Sequence, residues 1–507
     1  MKLTDSRAFS DTKNIFGALA YAIIMLGIIM LIPLLILPFY PLETYQIPCF
    51  AVPGVLSIFC GYLIKVFTGT NYSMTLKRHS GSLIVLLIWI VSILIGAVPF
   101  VMTGKYTFTQ AVFEATSGFT TTGFTVTAVE EASHLILLYR SVLHLFGGVG
   151  LILILSSLLS NIYGMQIFNA EGHTDKLTPS LLHSARTIVL IYFGFIIGGT
   201  ISYIIFGMNP FDAINHSISA VATGGFSTKN DSIGYWHSVP IDITTIILMI
   251  LGSTNFMASL LLLRGKFRDF LSNCETKVTA FLIAVVTPIT VVMMLTEGIC
   301  PNTLSAIDNA LFQVVSIIST TGLSTINDFL PRASYALVPL IILMFVGGHS
   351  GSTAGGIKAN RVALAARSLF YDARDQISRK RVIFPRKINR FGKEETITDS
   401  EQSQNYTYIL IYMLIGFAGT FGLMLCGNNF TDSFVEFFSA LGTVGLSIGI
   451  ANPEMSNPEM WIIIIGMLIA RLEVYIIIFA VARIISDIRE LFSDIRLSNK
   501  RKGKKSR

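Results

Sequence analysis

Charge is what this sequence has least of. Asp, Glu, Lys and Arg make up 13% of its 507 residues, about half the ~25% of an ordinary soluble protein. A soluble chain of this length would divide into two to four domains with charged surfaces, and there is too little charge here to coat them. Cysteine is scarce as well. Cys49, Cys60, Cys274, Cys300 and Cys426 stand in no CxxC spacing, which argues against a disulfide framework and a cysteine zinc site. The histidines are scattered and form no HExxH pair, so a zinc-hydrolase helix is not encoded. Cytosolic enzyme, secreted scaffold and disordered chain all fall away. What is plentiful is apolar: hydrophobic residues reach 52%, and the composition is that of a polytopic membrane protein.

A helix needs ~20 apolar residues to cross the hydrocarbon core. Long charge-free runs cover 14–42, 44–64, 79–104, 141–170, 187–211, 243–263, 278–296, 333–357 and 402–431, and a tenth, 459–482, is interrupted by Arg471 and Glu473. About ten spans are therefore expected. The first run is far longer than the ~7–15 apolar residues of a signal peptide, so no cleaved leader is expected. If the N-terminus is cytoplasmic, the inside segments hold all the Lys and Arg except Lys105, Arg140, Lys229, Arg332 and Arg471. This bias is the positive-inside rule and puts both termini in the cytoplasm. The basic tail, 499–505, reads as an anchor beside anionic membrane lipid rather than a nucleic-acid site. Arg140, near the outer end of a span, is expected to snorkel, and the outer-loop carboxylates (Glu130, Glu131, Asp231, Glu297, Asp328, Glu454 and Glu459) either form an acidic mouth or are simply solvated.

Between the spans lie four shorter runs rich in Thr, Ser and Gly: 115–129, 213–228, 309–327 and 437–453. Aligned on Gly123, Gly225, Gly322 and Gly445, they share a register of about sixteen positions. Two residues earlier stands Thr121, Thr223, Thr320 or Thr443. Six earlier stands Ser117, Ser219, Ser316 or Ser439. Nine earlier is Glu114, His216, Gln313 or Glu436, thirteen earlier is Gln110, Asp212, Asn309 or Asp432, and two later is always Thr or Ser. Each copy lies between two apolar spans. The unit is span, short helix, glycine-bearing strand, span, repeated four times.

Non-helical backbone at membrane depth is tolerated where it lines a polar cavity or is buried in protein. Four such strands around one axis would turn carbonyl oxygens inward, and carbonyl rings can replace the hydration shell of a monovalent cation. Glycine permits the positive φ that such a strand needs. The negative C-terminal end of each short helix would favour a cation there. The expected ion-binding residues are Thr121, Thr122, Gly123, Thr223, Gly224, Gly225, Thr320, Thr321, Gly322, Thr443, Val444 and Gly445.

These residues carry a resemblance over essentially the whole chain. The sequence resembles the Trk/Ktr/HKT superfamily of potassium transporters, and within it the TrkH/TrkG type. Residues 113–125, from Phe113 and Glu114 through Thr121, Thr122 and Gly123 to Thr125, are similar to that family's first filter loop. The resemblance implies an all-α polytopic membrane protein of the cell inner membrane, with four tandem span–pore-loop–span repeats in pseudo-fourfold symmetry around one ion pore. Two extra N-terminal transmembrane helices accompany them. It implies K⁺ as the transported ion bound at the filter residues, with no organic cofactor, and Gly123 favours K⁺ because sodium-selective relatives carry Ser there. It further implies a homodimer and a separate, TrkA-like cytoplasmic nucleotide-binding regulatory subunit. The divisions expected are an N-terminal two-span unit (1–67), repeat 1 (79–160, loop about 107–126), repeat 2 (180–264, loop about 209–228) and repeat 3 (276–370, loop about 303–325). A basic cytoplasmic loop (371–404), repeat 4 (405–487, loop about 429–448) and a basic tail (488–507) complete the chain.

Two further features are gate candidates. Gly347, Gly348, Gly351, Gly355 and Gly356 fall within ten residues, and each glycine costs a helix ~1 kcal/mol against Ala. The last span of repeat 3 should break at 347–356. The segment is no phosphate loop, because Ile357 separates Gly356 from Lys358 and Ala359 follows. It resembles the family's intramembrane gating loop, Lys358 included. His349 within it is either an ordinary hydrogen-bonding residue or a proton sensor. Arg471 in the last span is costly at membrane depth and resembles the family's arginine that projects into the pore. The reading is a non-enzymatic potassium uptake protein. The alternatives are a secondary transporter of an organic solute, which usually shows inverted two-part symmetry, or a sodium-conducting relative.

Overall fold

The computed structural model describes residues 7–69, 80–150, 181–326, 329–332, 335–377, 386–472, 474–486 and 489. The sequence expectations for the C-terminal tail, for 151–180, for Asp328 and for Glu473 fall outside them.

Two N-terminal helices, α1 (Arg7–Leu31) and α2 (Ile47–Thr68), pack closely. Small residues make this possible: a methyl group on Gly27 would meet the Gly54 carbonyl, and one on Gly61 would meet that of Ala20, the close approach typical of membrane helices. The turn between them docks on the remainder of the chain through Glu43, as described below.

Four helical triplets follow. The first is α3 (Ser80–Met102), α4 (Phe108–Thr120) and α5 (His134–Val149). The second is α6 (Leu181–Ile205), α7 (Pro210–Val221) and α8 (Val239–Ser253), extended by α9 (Phe256–Leu263) and α10 (Phe267–Ser272). The third is α11 (Cys274–Thr296), α12 (Thr303–Ile318) and α13 (Leu337–Val346), after which α14 (Ala359–Ile377) runs on. A hairpin of β1 (Lys387–Arg390) and β2 (Lys393–Thr396) precedes the fourth triplet, α15 (Asp399–Leu425), α16 (Phe430–Leu441) and α17 (Asn457–Leu472).

The packing is cyclic. The third helix of each triplet contacts the short middle helix of the next: α5 with α7, α8 with α12, α13 with α16, and α17 with α4. The four short helices are therefore enclosed by protein, and their residues near the C-terminal end are buried in every copy. The first helices of the second, third and fourth triplets face outward, whereas α3 is more than half buried and packs against α1 and α4. On α6, Leu190, Ile197, Ile201 and Ile205 are all more than half exposed, a stripe that would be an aggregation surface in water and suits lipid.

Six described helices are long and apolar enough to cross a membrane, or eight if each bent pair is one span. The difference from the ten apolar runs lies in the third helices. The 243–263 run bends by 118° between α8 and α9, and the last run bends by 100° between α17 and Val474–Ser486. The 333–357 run ends as a helix at Val346, where the glycines begin.

Candidate functional site

Each short helix starts with a side-chain cap. Thr107 and Gln110 form a capping box on α4, and Asn209, Asn302 and Asn429 cap α7, α12 and α16; such caps satisfy otherwise orphaned N–H groups. Each ends in the same pair of backbone bonds. The amides of Thr121, Thr223, Thr320 and Thr443 donate to the carbonyl three residues back, at 3.2, 3.2, 3.0 and 3.1 Å. The next amides, of Thr122, Gly224, Thr321 and Val444, donate to the carbonyls of Ser117, Ser219, Ser316 and Ser439 at 3.0, 2.8, 2.9 and 2.8 Å. This is the Schellman termination, which requires a left-handed residue and usually takes Gly. Here that residue is Thr every time, with φ of 55°, 50°, 56° and 52°.

A β-branched residue in that region is a genuine outlier and costs on the order of 1–3 kcal/mol. The sequence reading assigned positive φ to the glycines alone. The glycines have it too, at 94°, 81°, 77° and 76° for Gly123, Gly225, Gly322 and Gly445. Positive φ at both the Thr and the Gly, with one residue between them, recurs in all four strands.

The strands meet one another. A methyl group on Gly123 would strike the Gly224 carbonyl; on Gly225, that of Thr321; on Gly322, that of Val444; and on Gly445, that of Thr122. The order closes on itself. One carbonyl from each copy, immediately before its glycine, borders the preceding copy's glycine. Thr121, Thr122, Gly123, Thr223, Gly224, Gly225, Thr320, Thr321, Gly322, Thr443, Val444 and Gly445 are thus brought into one ring.

The polar positions of the repeat hold the strands in place. The residue nine before the glycine reaches the hydroxyl two after it in every copy. Thr125 Oγ1 donates to Glu114 Oε1 at 2.6 Å, His216 Nε2 meets Ser227 Oγ at 2.9 Å, Gln313 Nε2 donates to Ser324 Oγ at 2.7 Å, and Ser447 Oγ donates to Glu436 Oε1 at 2.8 Å. Both positions were visible in the register, and their constant separation of eleven residues was the signal for the pairing. Ser117 and Ser316 add a second tie, to the Gly123 amide at 3.1 Å and the Leu323 carbonyl at 2.6 Å.

The two ends of the ring face different surroundings. The glycine end opens to a cavity of about 510 Å³ whose wall includes Gly123, Gly225, Gly322, Thr125, Ser227 and Ser324. Among the described residues this wall carries Arg140 and Lys229 and no carboxylate. Arg140 does not snorkel. It is 1% exposed, with Nε 3.3 Å from Oε2 of the fully buried Glu114. The pair lies 26 residues apart on α4 and α5, where packing and not sequence spacing sets the contact.

The threonine end meets the glycine-rich segment. Thr353 Oγ1 lies 3.0 Å from Thr223 Oγ1, the Gly355 amide donates to Thr320 Oγ1 at 2.9 Å, and a methyl group on Gly355 would overlap Thr443 Oγ1. Glycine is required here because Gly347, Gly351 and Gly356 have φ of 65°, 66° and 79° and because Gly355 and Gly356 approach other backbone. Gly348 packs on Ala354 and Ser253. Lys358 Nζ donates to the Ala354 carbonyl. Arg471 donates through Nη1 to the Thr353 carbonyl at 3.2 Å and through Nη2 to the Gly147 carbonyl. It thereby joins α17, the loop and the end of α5. Thr353 was not singled out from sequence, where nothing distinguishes it from its neighbours. His349 is buried and hydrogen-bonded, with Nε2 3.2 Å from Thr279 Oγ1. The outer part of the loop is anchored by the Ser350 amide on Glu275 Oε1 at 2.7 Å.

The N-terminal pair, for which the sequence suggested no task, reaches the same assembly. Glu43 caps α5 by accepting from the His134 and Leu135 amides at 2.9 and 3.1 Å, and Oε1 sits 2.7 Å from His134 Nδ1. Tyr40 stacks on His134 with centroids 3.8 Å apart.

Comparison with known proteins agrees with this architecture. Residues 50–488 match the model of the TrkH family, described as cation transport protein. The Trk system potassium uptake protein TrkH of Vibrio parahaemolyticus is 30% identical over 438 residues, covering 82% of this chain and 88% of the relative. The protein of the same name in Escherichia coli is 31% identical over 419 residues, covering 79% and 84%. The crystal structure of the potassium transporter TrkH from Vibrio parahaemolyticus superposes with a TM-score of 0.82 at 26% identity, over 92% of this chain and 98% of that one. This multi-pass helical membrane protein belongs to the TrkH family of cation transport proteins.

Proposed function

We propose that the chain mediates potassium uptake across the cytoplasmic membrane, the task named for its relatives, and that it is a transporter with no enzymatic step. The observation that carries the reading is the closed ring of four strands, each offering a carbonyl beside its neighbour's glycine. K⁺ is held there by backbone oxygens in place of water. The filter is Thr121–Gly123 and its counterparts at 223–225, 320–322 and 443–445. The gate is the 347–356 loop with Lys358 and Arg471. The loop abuts three of the four left-handed threonines, and Arg471 adds a positive charge to the same face of the ring. A cation leaving the filter meets both, so conduction requires the loop and Arg471 to move.

On the same reading both termini are cytoplasmic, the chain forms a homodimer with one pore per subunit, and a TrkA-like nucleotide-binding subunit docks from the cytoplasm. The hairpin supports such a docking surface. Arg367 Nη1 and the Tyr371 hydroxyl of α14 donate to the Lys387 carbonyl at 3.0 and 3.1 Å, and Arg386 Nη2 lies 2.7 Å from Asp372 Oδ1. The hairpin is thus tied to the helix that leaves the glycine loop, and a partner pulling on it would pull on the gate.

The test is uptake of radioactive rubidium into liposomes holding the purified chain, with K⁺ and Na⁺ as competitors. Uptake blocked by K⁺ and poorly by Na⁺ is expected. Equal competition would favour the sodium-conducting alternative. Silence in both the native chain and Arg471→Ala would favour an organic-solute transporter.

A further inference from the structure

Glu114 and Glu436 occupy the same position in copies one and four, and their surroundings differ in one respect. Both carboxylates accept from the hydroxyl eleven residues later and from two backbone amides beyond it. Glu114 takes Thr125 Oγ1, the Val126 amide at 2.6 Å and the Thr127 amide at 3.0 Å; Glu436 takes Ser447 Oγ and the Ile448 and Ala451 amides, both at 2.9 Å. Three neutral donors thus suffice to hold a carboxylate and its strand in copy four. Glu114 has Arg140 in addition.

Arg140 does more than neutralise Glu114. Its Nη1 donates to the Ser227 carbonyl of the second strand at 3.3 Å, and its guanidinium lies 4.0 Å from the centroid of Phe226. One helical turn on, the buried His144 stacks on the same ring at 4.1 Å. The first and second strands are therefore joined by a charged strut. Other junctions use neutral groups: the Ser324 amide donates to Ser232 Oγ at 3.2 Å and Gln110 Nε2 to the Pro453 carbonyl at 3.2 Å. Arg140 also borders the cavity that leads to Gly123, Gly225 and Gly322.

We propose that the Glu114–Arg140 ion pair sets the electrostatic balance at the cavity end of the filter, and with it the potassium concentration that half-saturates uptake. The proposal rests on reading the four strands as a potassium filter. Arg140 acts on the ion through its field and is a positioning residue, not an ion ligand. The pair is neutral as a unit, so removing either partner leaves one buried charge beside the path. At the effective dielectric near 20 that suits protein sites, one unit charge several Å from an ion is worth about tenfold or more in binding.

The two single variants should move in opposite directions. Glu114→Gln leaves Arg140 positive and should raise the half-saturating K⁺ concentration about tenfold. Arg140→Gln leaves Glu114 negative and should lower it several-fold. The double variant Glu114→Gln/Arg140→Gln, uncharged at both positions, should return within about twofold of the native chain. Loss of a merely structural strut would shift both singles the same way and the double at least as far. Rubidium uptake against K⁺ concentration is the measurement, on protein that elutes as the native species. If one single variant does not fold, the double and the surviving single still decide, since a survivor moving against its assigned direction, or a double that does not recover, overturns the proposal. The native chain in the same assay reports separately on the filter reading: absent K⁺-selective uptake there would sink that reading, whereas selective native uptake with like-signed singles would sink only this one.

Discussion

The ring and the loop beside it are built on opposite plans. The ring is made four times over, from one helix termination, one left-handed threonine and one left-handed glycine per copy. The loop is made once, in the third triplet, from glycines at φ of 65–79° and from contacts to three different copies. Repetition gives a cavity equal donors on all sides, as a spherical ion requires. Uniqueness gives an element whose hydrogen bonds to the ring are few and neutral, as the proposed gate requires. The two regions should therefore respond differently to substitution. Changes in the ring should degrade selection or abolish flux, and changes in the loop or at Arg471 should raise flux.

The largest effect should come from Gly445→Ala. The added methyl would meet the Thr122 carbonyl, at a φ of 76° that disfavours any side chain. Rubidium uptake should fall at least tenfold while the protein still elutes as the native species. Near-normal uptake would break the comparison at its root. Gly123→Ser, at a φ of 94° against the Gly224 carbonyl, should reduce the preference for K⁺ over Na⁺ by several-fold or more in competition assays. Arg471→Ala removes the links to Thr353 and Gly147 and should raise basal flux several-fold; a folded but less active variant would make Arg471 structural. Thr353→Val, on the loop side, removes the hydroxyl that lies 3.0 Å from Thr223 Oγ1. One hydrogen bond is worth ~1 kcal/mol, so basal flux should rise about fivefold at most, with selectivity unchanged. His349→Gln should have the smallest effect. The imidazole is already bonded to Thr279, and the pH profile of uptake should keep its shape; a lost pH response would revive the sensor reading.

What could be read from one sequence follows from the same contrast. A feature present four times is visible as a register, so the short helices, their Ser, Thr and Gly positions and the polar residues at nine and thirteen before the glycine all stood out. Even the pairing of Glu114 with Thr125 was implicit in a separation repeated in every copy. Single features were legible only when they broke a rule, as the cluster from Gly347 to Gly356 and the intramembrane Arg471 did. Arg140 was visible as a charge but misplaced, because its partner on a neighbouring helix is fixed by tertiary packing. Thr353 and Glu43 broke no rule, and their contacts span 130 and 91 residues of chain. The left-handed threonines ran against local propensity. Only the cyclic packing of the four triplets, which over-determines the helix ends, holds a β-branched residue in that conformation.

The central claim is that four backbone carbonyls, from Thr122, Gly224, Thr321 and Val444, select the ion. It is tested most directly by locating the ion. Crystals grown with rubidium in place of potassium, recorded at the rubidium absorption edge, should show anomalous density on the axis of the ring, within coordinating distance of those carbonyls. Density should fade when sodium replaces rubidium. An empty axis in a folded, flux-competent protein, or a rubidium peak held only by side chains elsewhere, would contradict the account.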